Sequence, residues 1–204
     1  MSREGGENGT DNEWPVDLAG VTESVVATLG PNDRWNLAAL GLFPGDPVTA
    51  RTWGNTRTRR NFHRQGGGYV QFTRDPVDFV EAACSIYERE DPVLPSADAW
   101  VRVGVEQVET GESGGTRWEE WELTPIESEI ENRVVPTTSR GHAAVIEATV
   151  AASRLDVESY DTADLLDRLS YFEAVVERCG CDRDREAFSR LAEYSGWNRR
   201  SESF

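Results

Sequence analysis

Short runs of alternating hydrophobic and polar residues dominate the chain up to about residue 125, which is the pattern of half-buried β-strands. Turn residues separate these runs, among them Pro44-Gly-Asp46 and the glycines between 111 and 115. Two helices interrupt the pattern, one capped by Asn55 or Thr56 and one running from Asp75-Pro76 to about Tyr87. Several short strands with two interposed helices predict a small closed or partly closed barrel. The strand candidates are residues 21–29, 36–43, 48–53, 69–73, 100–109 and 118–123.

The remainder of the chain has helical periodicity instead. Apolar residues recur at intervals of 4, 3 and 4 along a helix that residue 161 or 162 can cap, at Leu165, Leu169, Phe172 and Val176. Similar stripes predict helices over 141–155 and around 188–195. Such stripes must be covered, so we expect these helices to pack against the barrel or against a partner subunit.

We therefore divide the chain into an acidic tail over residues 1–16, a barrel domain over 17–125 and a helical subdomain over 126–204. The tail has too few apolar residues to bury and is predicted to be disordered. It also lacks the apolar core of a signal peptide, and no run elsewhere approaches the roughly 20 apolar residues that span a bilayer. We expect a cytoplasmic protein without a membrane partner.

The charge composition indicates the salt environment of the protein. All 21 basic residues are arginines, and 37 Asp and Glu residues give a formal net charge of −16. A strongly acidic surface without lysine predicts a protein of a halophilic cytoplasm, in which hydrated carboxylates and screening ions keep the protein in solution. High salt also weakens contacts with nucleic-acid phosphates, so no nucleic-acid partner is expected.

The cysteines and histidines do not point to a metal centre. Cys84, Cys179 and Cys181 cannot all pair, which indicates a reduced, intracellular protein. Cys179-Gly-Cys181 matches no common zinc spacing, and the glycine between the two cysteines instead predicts the end of a helix. His63 and His142 have no recognisable partner in the sequence and are expected at the surface or at a helix cap.

The residues between Arg51 and Asn61 carry the clearest candidate chemistry. A strand ends there and a helix begins, and a helix N-terminus presents unpaired N–H groups and a partial positive charge. The hydroxyls of Thr56 and Thr58 and the guanidinium groups of Arg51 and Arg57 would complete a phosphate cradle. The alternative is an ordinary strand-to-helix connection with solvated arginines.

Two further charged residues have open assignments. Glu23 falls within a strand, where a buried carboxylate needs a partner, and it either pairs with Arg51 or Arg133 or faces water. Arg59 falls on the far side of the predicted helix and is expected in solvent. No nucleophile or acid–base pair is visible in the sequence, so any chemistry would come from a bound group.

Seven segments carry a further signal through their order and spacing: Glu23-Ser-Val-Val-Ala-Thr28, Asn36-Leu-Ala-Ala-Leu-Gly41, Gly54-Asn-Thr-Arg-Thr-Arg-Arg-Asn61, Tyr69-Val-Gln-Phe-Thr-Arg-Asp-Pro-Val-Asp-Phe-Val80, Asn132-Arg133, Ile146-Glu-Ala-Thr-Val150 and Ser153-Arg-Leu155. Together they resemble the mostly archaeal family known as domain of unknown function 447. The resemblance covers nearly everything after the N-terminal tail.

This resemblance implies a mainly β fold with α: a flavin-reductase-like split β-barrel that binds FMN, followed by a C-terminal helical subdomain. It also implies a homodimer with the flavin near the subunit interface. The activity stays open between an FMN-dependent oxidoreductase with a small-molecule donor or substrate, a non-enzymatic flavin carrier or sensor, and a protein that binds the deazaflavin coenzyme of archaea. A different class of protein, an RNA- or single-strand-binding barrel that uses the arginines of 57–64, is disfavoured by the acidic composition.

The resemblance also assigns roles to individual positions. Residues 36–41 would place small side chains and backbone N–H groups beside the polar edge of the flavin ring, and the start of the helix would hold the phosphate. Asn61 either reaches the ribityl hydroxyls or has a structural role, and Trp53 either stacks on the ring or belongs to the core. The cofactor-binding candidates are Asn36, Ala38, Ala39, Gly41, Arg51, Asn55, Thr56, Arg57, Thr58 and Asn61.

Overall fold

The structure, a computed structural model, describes residues 13–201, so most of the predicted tail lies outside the described residues. Within that range the strands are β1 (Thr22–Leu29), β2 (Trp35–Phe43), β3 (Val48–Trp53), β4 (Gly67–Thr73), β5 (Tyr87–Arg89), β6 (Ala97–Ser113) and β7 (Thr116–Ile130). The helices are α1 (Arg57–Gln65), α2 (Pro76–Cys84), α3 (Arg140–Ala152), α4 (Thr162–Cys179), α5 (Asp182–Ser195) and α6 (Trp197–Ser201).

Six of the strands close into an antiparallel barrel in the order β1, β4, β6, β7, β3 and β2, and the pairing of β2 with β1 completes the circle. The short strand β5 adds to β2 outside this circle. Helices α3 to α6 follow the barrel in the chain, where the sequence predicts helical periodicity. The predicted barrel with a helical region after it is therefore confirmed.

Strand β2 changes neighbours along one of its edges. On one side it pairs with β1 from Trp35 to Leu42. On the opposite side it pairs with β5 only at residues 35–37 and with β3 only at residues 42 and 43. On this second side, between the two pairings, no strand in the described part of the chain pairs with residues 38–41. We call residues 38–41 the open edge of β2.

The interior of the barrel is filled by apolar side chains from all six strands and from α1. Phe62 of α1 is buried in this core, where its ring packs edge-on against Trp121 of β7 with 5.2 Å between centroids. Helix α1 therefore closes one end of the barrel. Thr56 caps its N-terminus, and Gly66 ends it in the left-handed conformation with a φ of 66°.

Helix α2 connects the barrel to the helical half. Phe79 and Ala82 pack with apolar residues of β1 and β2 on the outside of the barrel. Val77 and Val80, on another face of the helix, pack into the core that α3 to α6 form. Two arginines of α5 add ion pairs with acidic residues at α2. The two halves thus share one helix between their cores.

Three elements differ in extent from the sequence-based predictions. Helix α2 ends at Cys84, about three residues early, because the chain then extends into β5. Strands β6 and β7 are longer than predicted, and the turn between them is confined to Gly114 and Gly115, whose φ values are 56° and 74°. Strand β7 continues past Pro125, so the proposed domain limit falls inside a strand. Helix α6 has no predicted counterpart.

Candidate functional site

A cavity of about 570 Å³ lies between the barrel and the helical half. Small-molecule sites occupy about 300–1,000 Å³, so the cavity has room for a ligand of that class. Its walls come from the open edge of β2, β3, the start of α1, the tip of the β6–β7 hairpin, α2, α3 and the α3–α4 loop. Barrel and helices therefore share one candidate site.

Most of the predicted cofactor-binding residues meet at this cavity. Six of them line it: Ala38, Ala39, Gly41, Arg51, Thr56 and Thr58. The other four are not part of the lining: Asn36, Asn55, Arg57 and Asn61. The fold thus brings the β2 segment and the start of α1 together, which the sequence places on separate elements.

The β2 wall combines small side chains with main-chain groups that lack a strand partner. Ala38, Ala39 and Gly41 are half-buried and leave the backbone accessible from the cavity. Because these residues belong to the open edge, the N–H and C=O groups that this edge presents are available to a ligand.

The start of α1 supplies hydrogen-bond donors to the cavity. Thr56 Oγ1 accepts from the Arg59 N–H at 3.3 Å, and the Thr56 carbonyl accepts from the Arg60 N–H at 3.3 Å. The described residues offer no hydrogen-bond partner to the N–H groups of Arg57 and Thr58, the first two of the helix. An anion at this end would meet these donors and the positive end of the helix dipole.

The two arginines predicted to accompany a phosphate are both engaged with carboxylates. Arg51 Nε donates to Glu120 Oε2 at 2.5 Å, and its guanidinium lies 4.4 Å from the centroid of the Trp118 ring. Arg57 turns towards β5, where its Nη1 is 2.5 Å from Glu88 Oε1. Of this pair, only Arg51 is placed at the cavity.

The predicted asparagines support the wall rather than line it. Asn61 is buried, and its Nδ2 donates to Thr28 Oγ1 at 2.9 Å while its Oδ1 accepts from Arg64. Asn36 is buried within β2, and Asn55 Oδ1 accepts from an arginine of α1 at 3.1 Å. For Asn61, these contacts favour the structural role over contact with a ligand.

A buried carboxylate that has no signal in the sequence lies beneath α1. Glu119 of β7 is 1% exposed, and its two oxygens are 2.5 Å from Arg59 Nη2 and 2.7 Å from His63 Nε2. The hydrogen bonds and charges of Arg59 and His63 lower the pKa of the Glu119 carboxyl to about 2. The expectation that Arg59 is solvated and that His63 lacks a partner is therefore wrong. Both residues attach α1 to the barrel.

Glu23 is the carboxylate of the cavity lining. Its oxygens lie 3.9 and 4.0 Å from the position that a Cβ on Gly41 would take. No ion pair of the described residues involves Glu23, so neither arginine proposed from the sequence is its partner. Partial desolvation of the carboxyl group and the carboxylate of Glu147 raise the pKa of Glu23, although the residue as a whole is exposed. The side chain faces the open space of the cavity.

The α3–α4 loop forms a wall that the sequence does not predict. Ser153, Arg154, Ser159 and Tyr160 line the cavity there. Serines and an arginine in a polar loop have no periodicity that distinguishes them from solvated residues, so only the fold reveals where they face. Trp53, on the opposite side, is 46% exposed at the cavity and is not a core residue.

The structure offers no metal centre or membrane span in residues 13–201. Within this range, no three or more His, Cys, Asp or Glu side chains are grouped to hold a metal ion. Cys179 and Cys181 flank Gly180, which ends α4 as predicted. None of the helices over the same range is long and apolar enough to cross a membrane.

Comparison with protein families gives a match over most of the chain. A model described as the N-terminal domain of a protein of unknown function, DUF447, matches residues 22–132. A second model, described as a protein of unknown function, DUF447, matches residues 139–193. No curated protein matches the chain.

Solved structures match the fold. The FMN-bound protein MM1853 from Methanosarcina mazei, a DUF447 protein, aligns with 86% of this chain and 95% of its own at a TM-score of 0.72 and 23% identity. An FMN-binding protein from Thermus thermophilus aligns with 64% of this chain and 82% of its own at a TM-score of 0.41 and 13% identity. The styrene monooxygenase flavin reductase from Pseudomonas putida S12 aligns with 57% of this chain and 93% of its own at a TM-score of 0.39 and 12% identity. The expected split-barrel fold is confirmed.

Proposed function

This chain belongs to the DUF447 family, and we propose that it is a flavoprotein that binds FMN in the cavity between its barrel and its helices. The observation that carries this proposal is the open edge of β2, where residues 38–41 line the cavity and have no strand partner on the side away from β1. Buried main-chain groups need hydrogen-bond partners, and the polar edge of a flavin ring supplies both donors and acceptors. The small side chains of Ala38, Ala39 and Gly41 let such a ring approach the backbone.

The start of α1 supports the placement of the phosphate. FMN carries a dianionic phosphate, and the N-termini of helices bind such groups through free N–H donors and the helix dipole. The N–H groups of Arg57 and Thr58 and the hydroxyl of Thr56 are available there. Arg51 adds positive charge on the same wall.

The solved relative supports the same ligand. MM1853 is FMN-bound and shares its fold with 86% of this chain. A common fold does not transfer a ligand by itself, so the open edge of β2 and the start of α1 remain the grounds for the proposal.

We infer that the flavin serves an oxidoreductase with a small-molecule donor or substrate. FMN, when bound, supplies hydride and electron transfer. The chain itself contributes the surroundings, because apolar side chains form much of the lining and Glu23 places a carboxyl group of raised pKa at the cavity surface. Such a carboxyl can hold a proton next to a reacting ligand.

A flavin carrier or sensor without catalysis is the second candidate. The observation that favours it is the composition of the lining, in which the described residues include no His, Cys or Lys side chain. The deazaflavin coenzyme of archaea is an alternative ligand for the same cavity, since its ring has a polar edge similar to that of FMN.

We also propose a homodimer whose subunits meet near the mouth of the cavity. Val21, Phe43 and Trp53 line the cavity and are exposed large apolar residues. Exposed apolar side chains that lie together mark contact surfaces. Concentrated salt would screen the repulsion between two subunits of net charge −16, so the dimer fits the halophilic cytoplasm expected from composition.

An RNA- or single-strand-binding barrel has less support, because the arginines of 57–64 are engaged within the chain. Arg57 and Arg59 form ion pairs with glutamates. Arg60 and Arg64 donate to asparagine side chains. Few of these groups remain for phosphates of a polyanion, and the net charge opposes its approach.

The test is the visible absorption spectrum of protein purified in concentrated potassium chloride, with the ligand released by heat and identified by mass. We expect the spectrum of an oxidised flavin and near-stoichiometric FMN. Anaerobic addition of NADH or NADPH then separates an enzyme, whose flavin is bleached, from a carrier, whose flavin stays oxidised. Deazaflavin differs from FMN in mass. A colourless protein that also fails to bind added flavin or deazaflavin would overturn the proposal.

A further inference from the structure

The polar end of the cavity is formed where the α3–α4 loop meets the tip of the β6–β7 hairpin. Four hydroxyl-bearing residues of these two segments line the cavity: Ser113, Thr116, Ser153 and Ser159. The segments are in contact, because a Cβ on Gly114 would collide with the side chain of Ser159. The helical half therefore reaches the hairpin tip.

The hairpin tip in turn contacts the residues before α1. The Gly54 N–H donates to the carbonyl of Arg117 at 2.7 Å. Thr116 Cγ2 lies 3.9 Å from the position of a Cβ on Gly54. Two residues after Gly54, Thr56 caps α1 at the cavity wall. The tip thus connects the α3–α4 loop to the helix start that we propose for the phosphate.

Arg154 is the cation that the α3–α4 loop contributes to this cavity. Its guanidinium lies over the ring of Tyr160, 5.0 Å from the centroid, which holds it at the wall. No ion pair or hydrogen bond of the described residues involves this guanidinium. The chain has 37 acidic residues, so carboxylate partners are abundant elsewhere. The other arginine of the lining, Arg51, is paired with Glu120. Arg154 is half-buried, and a guanidinium at a cavity wall without a carboxylate favours an anionic ligand.

We propose that Arg154 binds the phosphate of FMN, so that the helical half completes the phosphate end of the cofactor site. This inference rests on the proposed function. It replaces the sequence-based expectation that Arg57 has this role, because Arg57 is bound to Glu88 away from the cavity lining. The phosphate then lies between the N-terminus of α1 and Arg154, and the bound cofactor joins the barrel to the helices.

The test compares FMN with riboflavin, which lacks the phosphate, through quenching of flavin fluorescence in concentrated potassium chloride. Arg154→Ala should weaken FMN binding about 10- to 100-fold, the usual contribution of hydrogen bonds to charged groups. Riboflavin binding should stay nearly unchanged. Arg154→Lys keeps the charge and should retain part of the preference for FMN. Arg185→Ala removes an exposed arginine of α5 that is not part of the lining and is the matched control.

Four results would overturn the inference. Equal losses for FMN and riboflavin in Arg154→Ala, or no loss for either, would remove the phosphate from Arg154, while FMN binding by the unaltered protein still upheld the proposed function. A loss of FMN preference in Arg57→Ala instead would return the phosphate to Arg57. If the unaltered protein binds neither flavin, the proposed function and this inference fail together. Should Arg154→Ala not fold, Arg154→Lys and Arg154→Gln give the same comparison.

Discussion

Glu119 is a single side chain that holds the ligand-facing helix in place without lining the cavity. Its partners Arg59 and His63 lie about one turn apart on α1, so the buried carboxylate attaches that helix to the end of the barrel. The same helix presents Thr58 to the cavity, next to its cap at Thr56. A change at Glu119 should therefore affect the position of the helix start.

Glu119→Gln should lower the free energy of unfolding by about 3 kcal/mol at neutral pH, because removal of one partner of a buried ion pair leaves the other uncompensated. The pKa of Glu119 is about 2 in the folded protein against an ordinary 4.5. A lowered pKa stabilises the folded state fully above pH 4.5, and this contribution is lost as the pH falls towards 2. Urea unfolding of both proteins should show their difference shrinking over that range.

Glu127→Gln is the matched control for this experiment. Glu127 lies on the same strand as Glu119, β7, and pairs with Arg102 of β6, but both side chains are substantially exposed. Exposed pairs contribute about 0–1 kcal/mol, so this variant should unfold almost like the unaltered protein. A difference for Glu119→Gln that stayed constant down to the lowest pH would contradict the lowered pKa.

Among the elements, α2 has the widest role because it belongs to two cores. Asp75 caps it and Pro76 begins it, and the sequence predicts both. One face carries Phe79 against the barrel, and another carries Val80 into the helical core. The two halves should therefore unfold together.

Phe79→Ala should lower the free energy of unfolding by about 3 kcal/mol, because the side chain is buried and its removal leaves a void. FMN affinity should fall as well, since Phe79 lines the ligand cavity. Circular dichroism and tryptophan fluorescence should report one common transition. Tyr171→Ala on α4 removes an exposed aromatic ring and should change stability by less than about 0.5 kcal/mol. Two separate transitions would mean that α2 does not couple the halves.

Elements could be predicted where their signal is local. Strand β3 begins and ends at the predicted residues Val48 and Trp53, because its alternation lies between clear turn signals. Helix α4 begins after its predicted cap at Asp161. Pairings between elements leave no such trace: Arg59 and Glu119 are 60 residues apart. The open edge of β2 likewise depends on where two other strands meet it.

The candidate site divides in the same way. Small residues such as Ala38 and Gly41, and a helix start with Thr56, are visible in the sequence as types and spacings. The orientation of Arg57 away from the cavity depends on Glu88 of β5, whose strand the sequence does not indicate. Arg154 reaches the cavity only because the α3–α4 loop meets the hairpin tip.

For the whole molecule, the helical half forms part of the candidate site, so we expect it to depend on the barrel. Helix α3 and the α3–α4 loop provide one wall of the cavity, and α3 and α5 pack against α2 in the helical core. The cavity therefore exists only when both halves are present.

A chain that ends at Glu131 should aggregate and should not retain FMN, because the truncation exposes Val77 and Val80 and removes the wall that holds Arg154. Size-exclusion chromatography and FMN titration in concentrated potassium chloride measure both effects. A soluble truncated monomer that binds FMN as tightly as the full chain would mean that the helices form an independent module.

The open edge of β2 has a mechanical consequence for the molecule as a whole. A barrel is stiff because main-chain hydrogen bonds run around its full circumference. Beside residues 38–41 this ring of hydrogen bonds is interrupted. A flat ligand bound to this edge would take the place of a missing strand, because its hydrogen bonds would fill the gap between β5 and β3. The bound cofactor would then make the β2 wall more rigid. Without the ligand, the barrel would be most flexible at the position where the flavin ring must enter.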